Sequence, residues 1–305
     1  MKILIFNWNG IFNDLISELK DHEVIVNNKY PIPPEIYKKQ DWADKVLLWN
    51  QNEAGGWADY IKKIKAETIL FQHGRRGSSR MFPPFNEKII TDKVCVWSEN
   101  DYNRLIEAGT PKEKIFITGT TIFKHLKPRE PHKKKTLLFS PEHWCDGDIA
   151  ENIIIANELR KGKFDIITKT LKGEHNSALY DNVIETDRNE HNHLEIVAET
   201  LSKVNAVVAI SESTLELMAE ISDIPVIIAD CWIPKSCGGD ERYKEYRREY
   251  SNACHKSKIK DLNETVKYCL KHPEYLRAKR KEIAIKDGGT NIENPLQKMI
   301  EVIEK

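Results

Sequence analysis

"ETILFQHGRRGSSR", residues 67–80, is an apolar run that ends abruptly in a different chemistry. Thr-Ile-Leu-Phe at 68–71 shows no polar alternation, which fits a strand covered on both faces, as in a parallel sheet. The run stops at His73-Gly74, and three arginines, a second glycine and two serines follow before residue 81. A glycine behind a strand lets backbone approach closely. The junction is either a strand-to-helix turn with solvated arginines or the floor of an anion site.

The same alternation extends in both directions. Apolar strands are predicted at 2–7, 23–26, 45–49, 93–97 and 114–118, with helices at 11–20, 57–64 and 98–109. The helix "SENDYNRLIEAG" has a capping serine, an acidic first turn and a closing glycine. "KHLKPREPHKKK", residues 124–135, is polar, aperiodic and carries two prolines, and reads as a linker. Beyond it the pattern restarts. Strands are predicted at 136–139, 164–168, 206–210 and 225–229, and helices at 150–159, 194–203, 214–221, 261–271, 273–284 and 295–304. Strands alternating with helices imply an α/β fold of parallel sheets. We expect two Rossmann-like domains facing across a cleft: an N-terminal domain over 1–125, a C-terminal domain over 133–285, and a helix over 286–305 returning towards the first domain.

The chain has 305 residues, with 47 basic and 47 acidic, so no global field draws it to nucleic acid or anionic lipid. Any anion site must be local. Hydrophobic residues at 40% suffice for two cores. The six cysteines are scattered without a CxxC pair, the pattern of reduced thiols in a cytoplasmic protein. No stretch approaches the ~18–20 apolar residues of a transmembrane segment, and the N-terminal apolar run is too short for a signal peptide.

In doubly wound sheets, ligands sit outside the carboxyl ends of the strands, which singles out four loops. In "NWNG", Asn7, Trp8, Asn9 and Gly10 permit close backbone approach and offer an indole for stacking. His73 ends its strand where an imidazole can act as base or donor. Gly74 frees backbone beside it, and Arg75 and Arg76 can hold phosphate in fork geometry. In "SPEHW", Ser140, Glu142 and His143 can reach the cleft. In "ISESTLELMAEISDIPVII", Ser211, Ser213 and Thr214 set hydroxyls at a helix N-terminus, an anion site by construction unless Ser213 is only a cap.

"QHG" at 72–74, "KIFITGTTIF" at 114–123, "SESTLELMAEISDIPVI" at 211–227 and "DGGTNIENPLQKMIEVI" at 287–303 resemble, in this order and spacing, the GT-B glycosyltransferase superfamily. That superfamily includes nucleotide-sugar 2-epimerases and glycerol-phosphate polymerases of wall and capsule synthesis. The resemblance implies a nucleotide-sugar donor on the C-terminal domain, with Ser140, Glu142, His143, Ser211, Ser213, Thr214 and Glu216 around it. It implies an acceptor and a base, His73, on the N-terminal domain, with Arg75 and Arg76 beside it. It implies no cofactor and no metal. Where many such proteins carry a ribose-binding glutamate seven residues before the proline of "PVI", this chain has Met218, leaving Glu216 or Glu220 for that contact.

Two further stretches carry weaker signals. "HNH" at 191–193 offers two imidazoles, short of the three or four ligands a metal needs. "ERYKEYRREY" at 241–250 mixes base and ring as polyanion surfaces do, but also fits a solvated helix with i,i+4 charge pairs. The expected activity is group transfer to an acceptor glycan, lipid-linked glycan or modified nucleic acid. An epimerase or hydrolase would need cleft carboxylates such as Glu142 and Asp146. A glycerol-phosphate transferase and a non-catalytic binding module are the other readings. The sequence leaves the oligomeric state open.

Overall fold

The structure is a computed structural model that describes residues 1–7, 12–28, 36, 38–49, 57–74, 89–127, 135–141, 146–172, 177–187, 192–210, 213–230 and 251–305. Two six-stranded sheets form, each parallel throughout. The first contains β1 (Lys2–Phe6), β2 (Glu23–Asn27), β3 (Lys45–Leu48), β4 (Glu67–Phe71), β5 (Lys93–Val96) and β6 (Ile115–Ile117), in the order β2-β1-β3-β4-β5-β6. The second contains β7 (Thr136–Ser140), β8 (Asp165–Leu171), β9 (Val183–Thr186), β10 (Ala206–Ala209), β11 (Val226–Asp230) and β12 (His255–Lys258), in the order β12-β11-β10-β7-β8-β9. Renumbered from its own first strand, that is the 3-2-1-4-5-6 order of dinucleotide-binding folds. Strand order reverses between β1 and β3 in one sheet and between β7 and β10 in the other, the places where folds of this kind take their ligands.

Helices flank the sheets: α1 (Asn13–Glu18), α2 (Trp57–Ile61), α3 (Glu99–Glu107), α4 (Asp146–Lys161), α5 (His193–Ser202), α6 (Thr214–Ile221), α7 (Leu262–Lys271), α8 (Arg277–Lys286) and α9 (Pro295–Glu304). The inner strands are buried on both faces because each sheet separates two apolar clusters. Leu4, Val46 and Leu70 face one way, and Ile3, Ile5 and Ile69 the other. At the amino ends of β3 to β5, Lys45 and Lys93 both bond Glu67, at 2.6 and 2.9 Å. Burial alone would raise the Glu67 carboxyl, but the two ammonium groups outweigh it and hold it below its usual value. Charge at that end serves the fold and leaves the carboxyl ends open for chemistry.

Several elements differ from expectation. β9 and β12 have no counterpart among the predicted strands. β12 reads His-Lys-Ser-Lys, with Lys256 and Lys258 exposed at a sheet edge, so its apolar signal is absent. α4 starts at Asp146, earlier than its periodicity suggests. α8 starts at Arg277 and not at 273, because Leu276 takes a left-handed φ of 63° that breaks the helix before it. The described cysteines, Cys95, Cys254 and Cys269, are free and buried. Burial pushes the Cys269 thiol up to about 12, against a smaller lowering by the nearby Arg280. Among the described residues no helix is long and apolar enough to cross a membrane.

After α8 the chain crosses to the first domain. In α9, Leu296, Met299, Ile300, Val302 and Ile303 join Ile3, Ile5, Leu15 and Leu19 in one cluster. Each fully buried side chain of this kind is worth about 1.5–3 kcal/mol, so this helix belongs energetically to the first sheet. The crossing is tight. A side chain on Gly289 (φ 61°) would meet the Trp97 carbonyl oxygen at 2.0 Å, and one on Gly119 (φ 73°) would meet Ile292 at 3.1 Å.

Before the crossing, Arg280 locks α8 onto α6. It is 0% exposed, donates to Asp223 Oδ1 from Nε at 3.0 Å and Nη2 at 2.7 Å, and donates to the carbonyls of Tyr275 and Pro273. Asp223 also accepts from Arg277. Because Asp223 stays partly exposed, Arg280→Ala should cost near the lower end of the range for breaking a buried pair, about 3 kcal/mol. Urea unfolding followed by circular dichroism reads the loss. An unchanged midpoint and slope would show that the pair adds nothing.

Candidate functional site

The carboxyl end of β4 continues as Gln72-His73-Gly74. Gln72 is 5% exposed, and every polar atom of its carboxamide is used. Its Oε1 accepts from Trp97 N at 2.9 Å, and its Nε2 donates to Asp101 Oδ2 at 3.0 Å and to the Gly74 carbonyl at 3.1 Å. Its backbone carbonyl accepts the Trp97 indole N–H at 3.0 Å. His73 lies half-buried between these anchors, its ring edge-on to Trp49 at 5.3 Å between centroids. Trp49 itself follows β3, next to the strand reversal.

Trp97 follows β5 and is 1% exposed. Its ring packs with Ile122 and with Leu217 of α6, and meets Phe123 edge-on at 5.4 Å. Ser98 caps α3, accepting from Asp101 N at 3.3 Å and donating to Asp101 Oδ2 at 3.0 Å. The turn that holds His73 is thus tied to the head of one helix and to a tryptophan shared between domains.

On the facing side, β10 runs into the head of α6. Ser213 is its N-cap and Thr214 its first residue. A side chain placed on Gly74 would stand 3.2 Å from Thr214 Oγ1, so the His73-Gly74 turn lies against that helix N-terminus. Larger residues at 74 would push the two walls apart. A helix N-terminus presents amide N–H groups and the positive end of the dipole.

Glu216 completes a capping box: Ser213 N donates to its Oε2 at 2.7 Å, Ser213 Oγ donates to the same oxygen, and Leu215 N donates to Ser213 Oγ. The hydroxyl of Ser140, the last residue of β7, also acts to lower this carboxyl. Glu216 is 1% exposed, in the first turn of the helix that follows β10. Burial raises its carboxyl above the usual 4.5, against the lowering by its serine partners. Burial of this kind makes the neutral acid easier to reach than it is in water. Glu220, the other candidate for the ribose contact, is buried and accepts from Ser251 Oγ at 3.1 Å and Cys254 Sγ at 3.4 Å.

Asn7 is buried at the end of β1. It ties the end of β1 to the head of α1, its Nδ2 donating to Asn13 Oδ1 at 3.0 Å and its Oδ1 accepting from Phe12 N at 3.1 Å. Trp8, Asn9, Gly10, Arg75, Arg76, Glu142, His143 and Ser211 lie outside the described residues, as do His191 and the stretch 241–250. His193 is the first residue of α5. Among the described residues no group of three or more His, Cys, Asp or Glu side chains converges as a metal site. Sequence reasoning missed Trp97 and Asp101, and gave Gln72 no role of its own. A tryptophan at a strand end, just before a capping serine, was the available signal.

A groove of about 1320 Å³ runs beside the two crossing segments, lined among others by Asp14, Thr120, Lys124, Ile221, Gly289 and Leu296. Neither His73 nor Thr214 lines it. The strand ends remain the better candidate, because there the fold's own crevice, a helix N-terminus and an imidazole coincide.

No protein-family model and no curated protein matches the chain. Solved structures do. The wall teichoic acid polymerase TagF superposes with a TM-score of 0.63 at 13% identity, over 100% of this chain and 88% of that one. Sucrose-phosphate synthase from Thermosynechococcus elongatus gives 0.55 at 10% identity, over 100% and 98%. Anabaena Alr3699/HepE in complex with UDP-glucose gives 0.52 at 10% identity, over 99% and 100%. At such identities the likeness establishes the fold: two Rossmann-like domains in the GT-B arrangement.

Glu216 yields a test with a defined sign. A carboxyl whose native value is raised holds its proton more tightly folded than unfolded. Wild-type stability therefore falls as pH rises from about 4.5 through the native value, and the penalty is absent below 4.5. Glu216→Gln keeps an acceptor for Ser213 and has no charge to bury. Its melting temperature should gain on wild type across that window, measured from about pH 4 to pH 8. The wild type gaining on the variant instead would mean that the site favours the carboxylate.

Proposed function

We propose that the chain is a metal-independent GT-B-type glycosyltransferase, moving a sugar or sugar-like group from a nucleotide-activated donor to an acceptor hydroxyl. The observation that carries the reading is the approach of the His73-Gly74 turn to the N-terminus of α6, which sets a base and an anion-stabilising dipole on opposite walls of one cleft. The acceptor oxygen attacks the activated carbon of the donor as the bond from that carbon to the diphosphate breaks. His73 takes the acceptor proton, and the diphosphate leaves with its new charge on the α6 amides and the Thr214 hydroxyl. Arg75 and Arg76, next in sequence, are assigned the supply of further positive charge to the leaving group. Ser140, Ser213 and Glu216 hold the donor wall in shape.

The fold neighbours support the donor class: HepE was solved with UDP-glucose, and a UDP-GlcNAc 2-epimerase from Neisseria meningitidis with UDP-GlcNAc, at a TM-score of 0.50 and 14% identity. We take a UDP-linked sugar as the first donor to test and an acceptor glycan, free or lipid-linked, as the first acceptor.

A thermal-shift screen of nucleotides and nucleotide sugars comes first. A donor at 100 times its dissociation constant should add about 2.7 kcal/mol of apparent stability. With that donor, His73→Ala should bind nucleotide as wild type does, because the donor sits on the other domain, and should lose at least ~10²-fold in turnover. Wild-type turnover in the alanine variant would remove His73 from the chemistry.

A further inference from the structure

We infer that Gln72 is a positioning residue for this site: its carboxamide fixes the His73-Gly74 turn to Trp97, the residue that packs on α6 of the other domain. This rests on the transferase reading above, and gives Gln72 a role exerted through His73 and not on the substrate.

The end of a buried parallel strand has no need of a carboxamide. A polar side chain that is 5% exposed there is costly unless each of its atoms is paired. In Gln72 each is paired, and the pairs have a direction. The bond from Nε2 to the Gly74 carbonyl closes over His73, so residues 72 and 74 are tied together and the histidine between them keeps one orientation. The second Nε2 bond runs to Asp101, whose carboxylate is itself held by Ser98 Oγ at the head of α3. The Oε1 bond reaches the Trp97 amide, while the Trp97 indole returns to the Gln72 carbonyl. Gln72 and Trp97 therefore clasp each other twice, over a sequence separation of 25 residues. The same indole packs in one cluster with Leu217, one helical turn from Thr214. One clamp thus sets the spacing between base and helix N-terminus. A shift of about 1 Å in such a spacing can cost ~10²-fold in rate.

Gln72→Glu separates positioning from mere stability. Glutamate keeps the size and the acceptor for Trp97 N, but has no N–H for Gly74 and turns a carboxylate towards Asp101. Turnover is measured per nucleotide-binding site, counted by calorimetric titration, so that unfolded protein does not enter the rate. We expect kcat per site to fall roughly 10- to 100-fold, with the nucleotide Kd unchanged. Adding Asp101→Asn, which supplies an amide donor towards the introduced carboxylate, should recover part of kcat. If Gln72→Glu gives no folded protein, Asp101→Asn alone should lower kcat per site at unchanged Kd. Unchanged kcat per site in whichever variant folds, beside a His73→Ala protein that has lost turnover, overturns the role of Gln72 and leaves the transferase reading standing. Turnover surviving in His73→Ala, or absent from the wild type with every donor it binds, overturns that reading and the role of Gln72 with it.

Discussion

The Trp97 indole donates to the Gln72 carbonyl while its ring lies against Ile122 and Leu217, so one side chain holds a loop of the first domain and a helix of the second. The two parts of that contact differ in size and in purpose. Burying a tryptophan removes on the order of 150–250 Å² from water, worth several kcal/mol at roughly 25 cal/mol per Å². The net gain from each hydrogen bond is only about 1 kcal/mol. Burial therefore supplies the strength, and the hydrogen bonds supply direction. The Trp97 carbonyl meets Gly289, where the chain crosses back to its first domain, and even a methyl group there would collide with it. Loop, helix and crossing segment all converge on this residue.

Much of the fold was legible because parallel strands buried on both faces announce themselves as unbroken apolar runs. β1, β3 and β10 carry that signature most plainly. β12 does not, since an edge strand with lysines at 256 and 258 looks like a polar loop. β9 is four residues in a polar neighbourhood. Nor does periodicity reveal strand order, because each crossover connection is compatible with several neighbours. Helix limits failed where backbone conformation decided them, as at Leu276 with its positive φ.

The site divides along the same line. His73 was legible because it follows the end of an apolar strand, and Ser213 because it caps a helix, so local sequence carries the chemistry at both. Gln72, Trp97 and Asp101 form one unit only in three dimensions, across separations of 25 and 29 residues, which no local pattern encodes. Glu216 lies between these cases. Its spacing from Ser213 is the signature of a capping box, and the structure shows that box, while the influence of Ser140 on its carboxyl comes from the strand order alone. A chain with equal numbers of acidic and basic residues then has, at one cleft, a helix dipole and a carboxyl biased towards its neutral form. Local geometry does there what net charge does not.

The most direct test of the account is a crystal structure of the protein with uridine diphosphate bound. The account predicts the diphosphate at the N-terminus of α6, with an oxygen in hydrogen-bond reach of Thr214 Oγ1 and the His73 ring on the opposite wall. A diphosphate seated in the groove beside Thr120 and Lys124, or anywhere away from α6, would contradict it.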